Sequence, residues 1–275
     1  MATFNIFFDP LHQPTALQRL DILQAAQVWS GVIQDNLVFD IQVGAHALGG
    51  AHNAMCIPGI VQDAGRTLTR AQAKLLGVAI VDIAVPAFDM VILIDNATHW
   101  VTGFAPVPHV GPAQFSLMTT VMHEICHGLG MLALCGVDNA AQTGTYSDTA
   151  LIAGLPQGVA PASFFPAGLV AGYQWLTPFS ALFAYQGVLA ILTKGVAADD
   201  YAAFLSAPGP VVIPGVNYTV LTGAPFVPFT TCDHIDGDDP NTHAPYLMSN
   251  STVGLFMAAP ETAATDILRA MGWNC

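Results

Sequence analysis

The sequence predicts an α+β fold, with a twisted mixed sheet and helices in an N-terminal subdomain, residues 1–135. A looser C-terminal subdomain of loops and helices is expected over residues 136–275. The first half alternates apolar strand-like segments with segments of helical periodicity, which is typical of a sheet covered by helices. The second half is rich in Gly and Pro and shows little periodicity. A chain of 275 residues suits one large domain or two subdomains that share a cleft.

The predicted elements alternate along the N-terminal half. Apolar alternation or a continuous apolar run predicts strands, at residues 3–8, 37–43 and 88–94. Apolar residues at helical spacing predict helices, at residues 15–34, 68–76 and from 115 onward. The Gly-, Ala- and His-rich residues 44–66 predict an irregular loop, and residues 261–273 predict a closing helix.

The composition excludes several classes of protein. The chain is 53% hydrophobic and carries 6 Lys and Arg against 19 Asp and Glu, a net charge of −13. No basic stripe is present to meet nucleic-acid phosphates or an anionic membrane surface. The most apolar window, residues 75–94, is interrupted by Asp82, Pro86 and Asp89, so no membrane span is expected.

Low lysine content with many small residues favours a secreted, extracellular protein. Residues 4–8 are too short for a signal peptide, so the chain is either cytosolic or a form whose leader has been removed, and the composition favours the second. The five cysteines show no C-x-x-C spacing, so no cysteine zinc site is indicated. Cys126 is expected to be a small buried apolar residue or a disulfide partner.

A metal-binding pattern lies in the third predicted helix. His123 and His127 are four residues apart, so a helix brings both imidazoles to one face, where they can bind one metal ion. Glu124 then lies beside the metal and can take a proton from a metal-bound water. The alternative is a helix with two surface histidines. In both cases the opposite, core-facing side of the helix is apolar, comprising Met118, Val121, Ile125 and Leu129.

A third ligand must come from far along the chain. An open catalytic zinc site has three protein ligands and leaves the fourth position to water. The short-spaced metzincin pattern would place the third histidine at position 133, which is Ala133 here. The remaining candidates are His234, His243, Asp233, Asp236 and Glu261, and His234 is the best of them.

The order of these motifs resembles that of leishmanolysin-type metzincin metallopeptidases, including their bacterial and fungal relatives. In that family a long insertion displaces the third histidine, a Met-turn follows, and a helix ends in a Gly-Trp or Gly-Phe pair. The matching stretches are H-E-I-C-H-G-L-G at 123–130, D-H-I-D at 233–236, Y-L-M-S at 246–249 and T-D-I-L-R-A-M-G-W at 265–273. The chain departs from the pattern in the longer gap between His127 and His234 and in Cys126 within the motif.

The resemblance implies a zinc endopeptidase. Zn²⁺ would be held by His123, His127 and His234, and Glu124 would act as general base on a zinc-activated water that attacks a protein or peptide substrate. Because neutral imidazoles are required, activity is expected to fall below about pH 6.

Two further residues acquire roles from the same resemblance. Met248 would be the methionine of the Met-turn, beneath the metal, and Tyr246 is a candidate oxyanion donor. The alternatives are an ordinary core methionine and a tyrosine that only packs. The strand near residues 91–94 could pair with an extended peptide, or could be a central buried strand.

The same residues are compatible with other functions. A catalytically silent relative could use the same fold and zinc to bind a partner, although such a protein would not need Glu124. A structural zinc site or a non-peptidase zinc hydrolase is the other alternative. A Ca²⁺ site is weakly indicated by Asp233, Asp236, Asp238 and Asp239, but a solvated acidic loop is the more common outcome of such a cluster.

Overall fold

The fold is a computed structural model that describes residues 1–49, 52–63, 66–80, 88–103, 114–133, 136–138, 143–145, 177–182, 184–185, 188–189, 211–213, 215–216, 218–221, 233–236, 246–249 and 255–275. Within these residues the protein is a mixed α/β structure with an open mixed sheet and four helices, which agrees with the predicted α+β class. The metzincin architecture that the motif resemblance implies stays a prediction.

The bounds of the elements are as follows. The helices are α1 Ala16–Val32, α2 Arg70–Leu75, α3 Leu117–Gly128 and α4 Thr262–Ala270. The strands of the first half are β1 Thr3–Phe8, β2 Val38–His46, β3 Ala54–Pro58, β4 Ile60–Asp63, β5 Arg66–Thr69, β6 Met90–Asp95, β7 Trp100–Val101 and β8 Phe115–Ser116. The strands of the second half are β9 Gly136–Asp138, β10 Thr143–Thr145, β11 Ala184–Tyr185, β12 Val188–Leu189, β13 Val211–Ile213 and β14 Tyr218–Val220.

The main sheet has the strand order β1-β2-β6-β3. β1, β2 and β6 are parallel, and β3 pairs antiparallel with β6. Along β1 and β2 the more buried residues alternate with more exposed ones, because only one face of these strands meets the core. Every residue of β6 is buried, as expected for a strand with a neighbour on each side.

The predicted loop over residues 44–66 is wrong. The end of β2, the whole of β3 and β4, and the first residue of β5 lie within that segment. Its Gly, Ala and His content gives little alternation, so the pairing of β3 with β6 is decided by the neighbouring strand rather than by local sequence. The strand near residues 91–94 is central and buried, and among the described strands β3 forms the edge of the sheet beside it.

Side-chain caps fix where the first two helices begin. Thr15 and Gln18 form a capping box at the start of α1, and Thr69 and Gln72 form another at the start of α2. The prediction of both helices is confirmed to within a few residues. α1 packs against α3, and the indole of the fully buried Trp29 donates a hydrogen bond of 3.0 Å to the carbonyl of Met122 in α3.

Two glycines control the end of α3. A side chain at Gly128 would overlap the side chain of Met90 in β6, so the absence of a Cβ lets helix and strand approach closely. Gly130 has a φ of 119°, a conformation that L side chains rarely adopt, and a Cβ there would also overlap the side chain of Gln72. The chain therefore turns sharply just after His127.

The closing helix α4 returns to this turn. After α4 the indole of Trp273 donates a 3.1 Å hydrogen bond to the carbonyl of Leu129, and its ring packs edge-on against Phe39 of β2. Ile267 and Leu268 belong to the same hydrophobic cluster as the residues of β6 and α3. The boundary at residue 135 stays a prediction, but described residues on both sides of it share one core. No helix in the described ranges has the length and apolar character needed to cross a membrane.

We predict that Gly130→Ala destabilises the protein by about 1–3 kcal/mol. Alanine is strained at a positive φ, and its Cβ would overlap the side chain of Gln72. Gly31→Ala is the matched control, since Gly31 lies in α1 with open space around its Cβ position. That control is expected to stabilise the protein by about 0.4–1 kcal/mol. Urea unfolding at neutral pH measures both, and equal effects would contradict the role assigned to Gly130.

Candidate metal centre

Three histidine side chains meet at one point. The Nε2 atoms of His127 and His234 lie 3.1 Å and 3.2 Å from the Nε2 atom of His123. All three residues are buried, and their ligand atoms lie within 4.8 Å of one another. His123 and His127 come from successive turns of α3, as predicted, and His234 comes from a segment 111 residues after His123. The three therefore form a group that could hold a metal ion.

The hydrogen bonds of the helix histidines fix which ring nitrogen faces the centre. Nδ1 of His123 lies 2.5 Å from the carbonyl oxygen of Leu247, and Nδ1 of His127 lies 2.6 Å from that of Met131. A carbonyl can only accept, so each Nδ1 carries the hydrogen. In the neutral ring Nε2 then carries a lone pair, and these lone pairs point at each other.

Burial keeps these rings neutral. It lowers the pKa of His123 to about 4, although the bond to Leu247 acts in the opposite direction. Burial, helped by the other two imidazoles, holds the pKa of His127 well below its ordinary value. Neutral rings with facing lone pairs repel unless a cation lies between them, so the arrangement fits a metal ion. Loss of metal by protonation is accordingly expected nearer pH 4 than the pH 6 that ordinary histidines predict.

Glu124 lies in the same helix but is not one of the three grouped ligands. Its carboxylate is buried and accepts a hydrogen bond from the backbone N–H of Cys56 in β3. Burial raises the pKa of Glu124 to about 8, and the Cys56 hydrogen bond opposes this rise only in part. A cation at the histidines would lower that pKa by favouring the carboxylate.

Backbone contacts hold the distal segments against α3. The buried carboxylate of Asp233 accepts a 2.5 Å hydrogen bond from the backbone N–H of Ala133, just beyond the Gly130 turn. Burial raises the pKa of Asp233 to about 8. The N–H of Ile235 donates to the carbonyl of Met248 at 2.8 Å, which joins the segment with the third histidine to residues 246–249.

The segment 246–249 is tied to the closing helix as well. The N–H of Leu247 donates a 3.1 Å hydrogen bond to a carboxylate oxygen of Glu261, the residue that precedes α4. The Leu247 carbonyl faces His123, so this one residue links the closing helix to the metal centre. No sequence pattern singles out Leu247, because every residue has a backbone carbonyl.

The other predicted site residues have varied surroundings. Met248 is fully buried, and Tyr246 is buried with its ring 5.6 Å from that of Tyr218. Their roles beneath the metal and as oxyanion donor stay predictions. Cys126 is a buried free thiol with its Sγ 3.3 Å from Met131 Sδ, which confirms the buried apolar interpretation over a disulfide.

The remaining candidate ligands either are not part of the three-histidine group or lie outside the described residues. Asp233 bonds Ala133, Glu261 bonds Leu247, and Asp236 is exposed. His243 lies outside the described residues, as do Asp238 and Asp239 of the predicted Ca²⁺ cluster. The Ca²⁺ site therefore stays a prediction. Of its four carboxylates, that of Asp233 is buried and accepts the hydrogen bond from Ala133.

Comparison of the chain with protein-family models gives no match, and comparison with curated proteins gives none either.

We predict that His234→Ala removes the metal while His243→Ala and the exposed-surface control His99→Ala retain it. Loss of one of three ligands is expected to weaken metal binding at least roughly 100-fold, more than the loss of an outer hydrogen bond does. Metal content after dialysis, with circular dichroism to verify folding, measures this. Retention by His234→Ala and loss by His243→Ala would move the third ligand to His243.

In metal-free protein, we predict that Glu124→Gln becomes increasingly stabilising as the pH rises. The folded pKa of about 8 lies above the unfolded value of about 4.5, so the folded state holds the proton more tightly. The stabilisation of the folded state by this tighter proton binding is fully present below about pH 4.5 and is lost as the pH rises through about 8. Glutamine does not titrate, so the variant shows no such loss. Between about pH 5 and pH 8 the advantage of the variant is expected to grow by about 1–4 kcal/mol.

Urea unfolding of both proteins in a chelating buffer measures the effect. Zinc-loaded protein is the control and should show a smaller change with pH. An advantage of the variant that stays constant across this range would contradict the environment described for Glu124.

Proposed function

We propose that this protein is a zinc-dependent endopeptidase in which His123, His127 and His234 hold the ion and Glu124 is the general base. The observation that carries the proposal is the convergence of three buried imidazoles, with a buried carboxylate at the residue after His123 that is not in the ligand group. A metal-binding protein without catalysis has no requirement for such a carboxylate.

The donor set favours zinc. Imidazole nitrogens suit Zn²⁺ better than Ca²⁺ or Mg²⁺, which prefer oxygen ligands. Within the described residues the ligand group contains three side chains and no fourth His, Cys, Asp or Glu, which supports an open position of the catalytic kind. When bound, the zinc ion activates water for nucleophilic attack and polarises the carbonyl of the substrate.

The chain's own residues supply proton transfer and orientation. Glu124 takes the proton of the attacking water and delivers it to the leaving amine. Burial raises the pKa of Glu124 and a bound cation would lower it again, so with zinc bound the carboxylate that accepts the proton would be present near neutral pH. The carbonyls of Leu247 and Met131 keep the rings of His123 and His127 in the tautomer that binds metal.

The edge strand β3 supports a peptide as the substrate. Its other side is paired with β6, and the backbone N–H of Cys56 points to the carboxylate of Glu124. Extended peptides add to exposed sheet edges through backbone hydrogen bonds, which suits recognition of varied sequences. A peptide lying along β3 would pass beside Glu124 and the histidine group.

The main rival is a catalytically silent protein that uses the same fold and zinc site to bind a partner. Retention of Glu124 in a buried setting next to the ligands favours the enzyme. A structural zinc site normally has four protein ligands, and the group found within the described residues has three, which disfavours that interpretation. Only a measurement of peptide-bond cleavage distinguishes the silent binding protein from the proposed enzyme.

We predict that the protein cleaves an unfolded protein such as casein and that Glu124→Gln abolishes cleavage while zinc content is unchanged. Glutamine keeps the shape of the side chain but cannot accept the proton, so a loss of at least about 100-fold is expected. Cleavage is measured with both proteins at matched zinc content. The control is the variant His99→Ala, which changes an exposed residue outside the metal centre. It should cleave casein like the parent.

Each outcome separates the alternatives. Equal cleavage by the parent and Glu124→Gln would contradict the role of Glu124. Zinc binding by both without any cleavage would favour the silent binding protein. Loss of zinc from Glu124→Gln would make Glu124 a ligand rather than the base.

A further inference from the structure

A second cluster of metal-ligating side chains lies at the carboxyl ends of two parallel strands. Asp9 directly follows β1, and His46 is the last residue of β2. His12 belongs to the loop that follows β1. Ligand atoms of these three residues lie within 4.8 Å of one another, and none of the three takes part in the histidine centre on α3.

One carboxylate oxygen faces both imidazoles of this cluster. Oδ2 of Asp9 lies 3.1 Å from Nδ1 of His12 and 3.6 Å from Nε2 of His46. The two rings stack with their centres 4.0 Å apart. Zinc bonds of about 2.0–2.1 Å at tetrahedral angles place ligand atoms roughly 3.3 Å apart, so the carboxylate–imidazole spacings are close to those of a metal site.

The backbone holds these side chains in position. The N–H of Asp9 donates to the carbonyl of Val43, and the N–H of Ala45 donates to the carbonyl of His12, at 2.9 Å and 2.7 Å. The other carboxylate oxygen of Asp9 accepts a 2.8 Å hydrogen bond from the N–H of Leu11. The loop is thus bound to β2 at two points, and Oδ2 is the oxygen left facing the imidazoles.

Gly44 makes room for the third ligand. Residues 44 and 46 of β2 lie on the same face of the strand, because side chains alternate. A Cβ at Gly44 would lie 2.8 Å from Nε2 of His46 and 3.2 Å from Cβ of Asp9. The imidazole of His46 therefore lies back along its own strand, over the glycine, and reaches Asp9.

The protonation states suit a cation. Burial acts to raise the pKa of Asp9, but hydrogen bonds from Leu11 and His12, together with the electrostatic effect of His12 and His46, lower it overall. Burial, together with the neighbouring His12, lowers the pKa of His46. A carboxylate beside a neutral imidazole offers a negative charge and a lone pair at neutral pH.

We propose that Asp9, His12 and His46 form a second metal site, which takes a divalent first-row transition metal such as Zn²⁺. Two imidazoles and one carboxylate select such ions over Ca²⁺ and Mg²⁺, which prefer oxygen ligands. The side chain of His12 is about half exposed, at 47%, so the ion keeps positions open to water. The bound ion cross-links the loop after β1 to the end of β2.

The test is the number of zinc equivalents bound by the full chain. Equilibrium dialysis against Zn²⁺ is compared for the wild type, His12→Ala, His46→Ala and the control His99→Ala, an exposed histidine outside both clusters. His12→Ala and His46→Ala are each expected to bind one equivalent fewer than the wild type, with an affinity loss at that site of at least roughly 100-fold. His99→Ala is expected to match the wild type.

The result does not depend on the histidine centre of α3, because only the difference between proteins is counted. His12 is half exposed, so its variant is expected to fold, and circular dichroism verifies this for both variants. Identical zinc stoichiometry and affinity in the wild type, His12→Ala and His46→Ala would overturn the proposal and leave a hydrogen-bonded cluster only. Loss of the same equivalent in His99→Ala would overturn it as well.

Discussion

The hydrogen bond from Nδ1 of His123 to the carbonyl of Leu247 is the contact on which the site depends most. It joins two residues 124 positions apart and so brings the end of the chain onto α3. It also fixes the tautomer of His123, so that Nε2 presents its lone pair to the other two imidazoles. Leu247 is in turn held by Glu261 in front of α4, which links the closing helix to the chemistry of the site.

Complete burial of α3 is the second constraint. All twelve of its residues are buried, including two histidines and one glutamate. Buried polar groups are costly unless each finds a partner, and here carbonyls of Leu247 and Met131 and the N–H of Cys56 supply those partners. The same burial keeps the imidazoles of His123 and His127 neutral and raises the pKa of Glu124. A bound cation would interact favourably with the imidazole lone pairs and would lower the pKa of Glu124 toward the carboxylate form that a general base requires.

Much of the first half could be predicted from the sequence. β1 was predicted at its observed bounds, and α1 and β6 to within a few residues, because their apolar spacing is strong and Thr15 marks the start of the helix. The segment 44–66 was mispredicted because β3 exists through its pairing with β6, a long-range effect that leaves little local signal. That error matters, since β3 is the edge strand and holds the N–H that contacts Glu124.

The sequence by itself determined the residues of α3 that face one another, because a spacing of four on a helix allows no other arrangement for His123 and His127. It also made His234 the leading candidate for the third position. Only the tertiary structure decided that His234 joins them, because no local rule brings together residues 111 positions apart. The same holds for the carbonyls that orient the rings and for the meeting of Asp9 with His46 on neighbouring strands. These contacts arise from packing and backbone pairing, in which every residue carries the same carbonyl and amide and sequence pattern gives no warning.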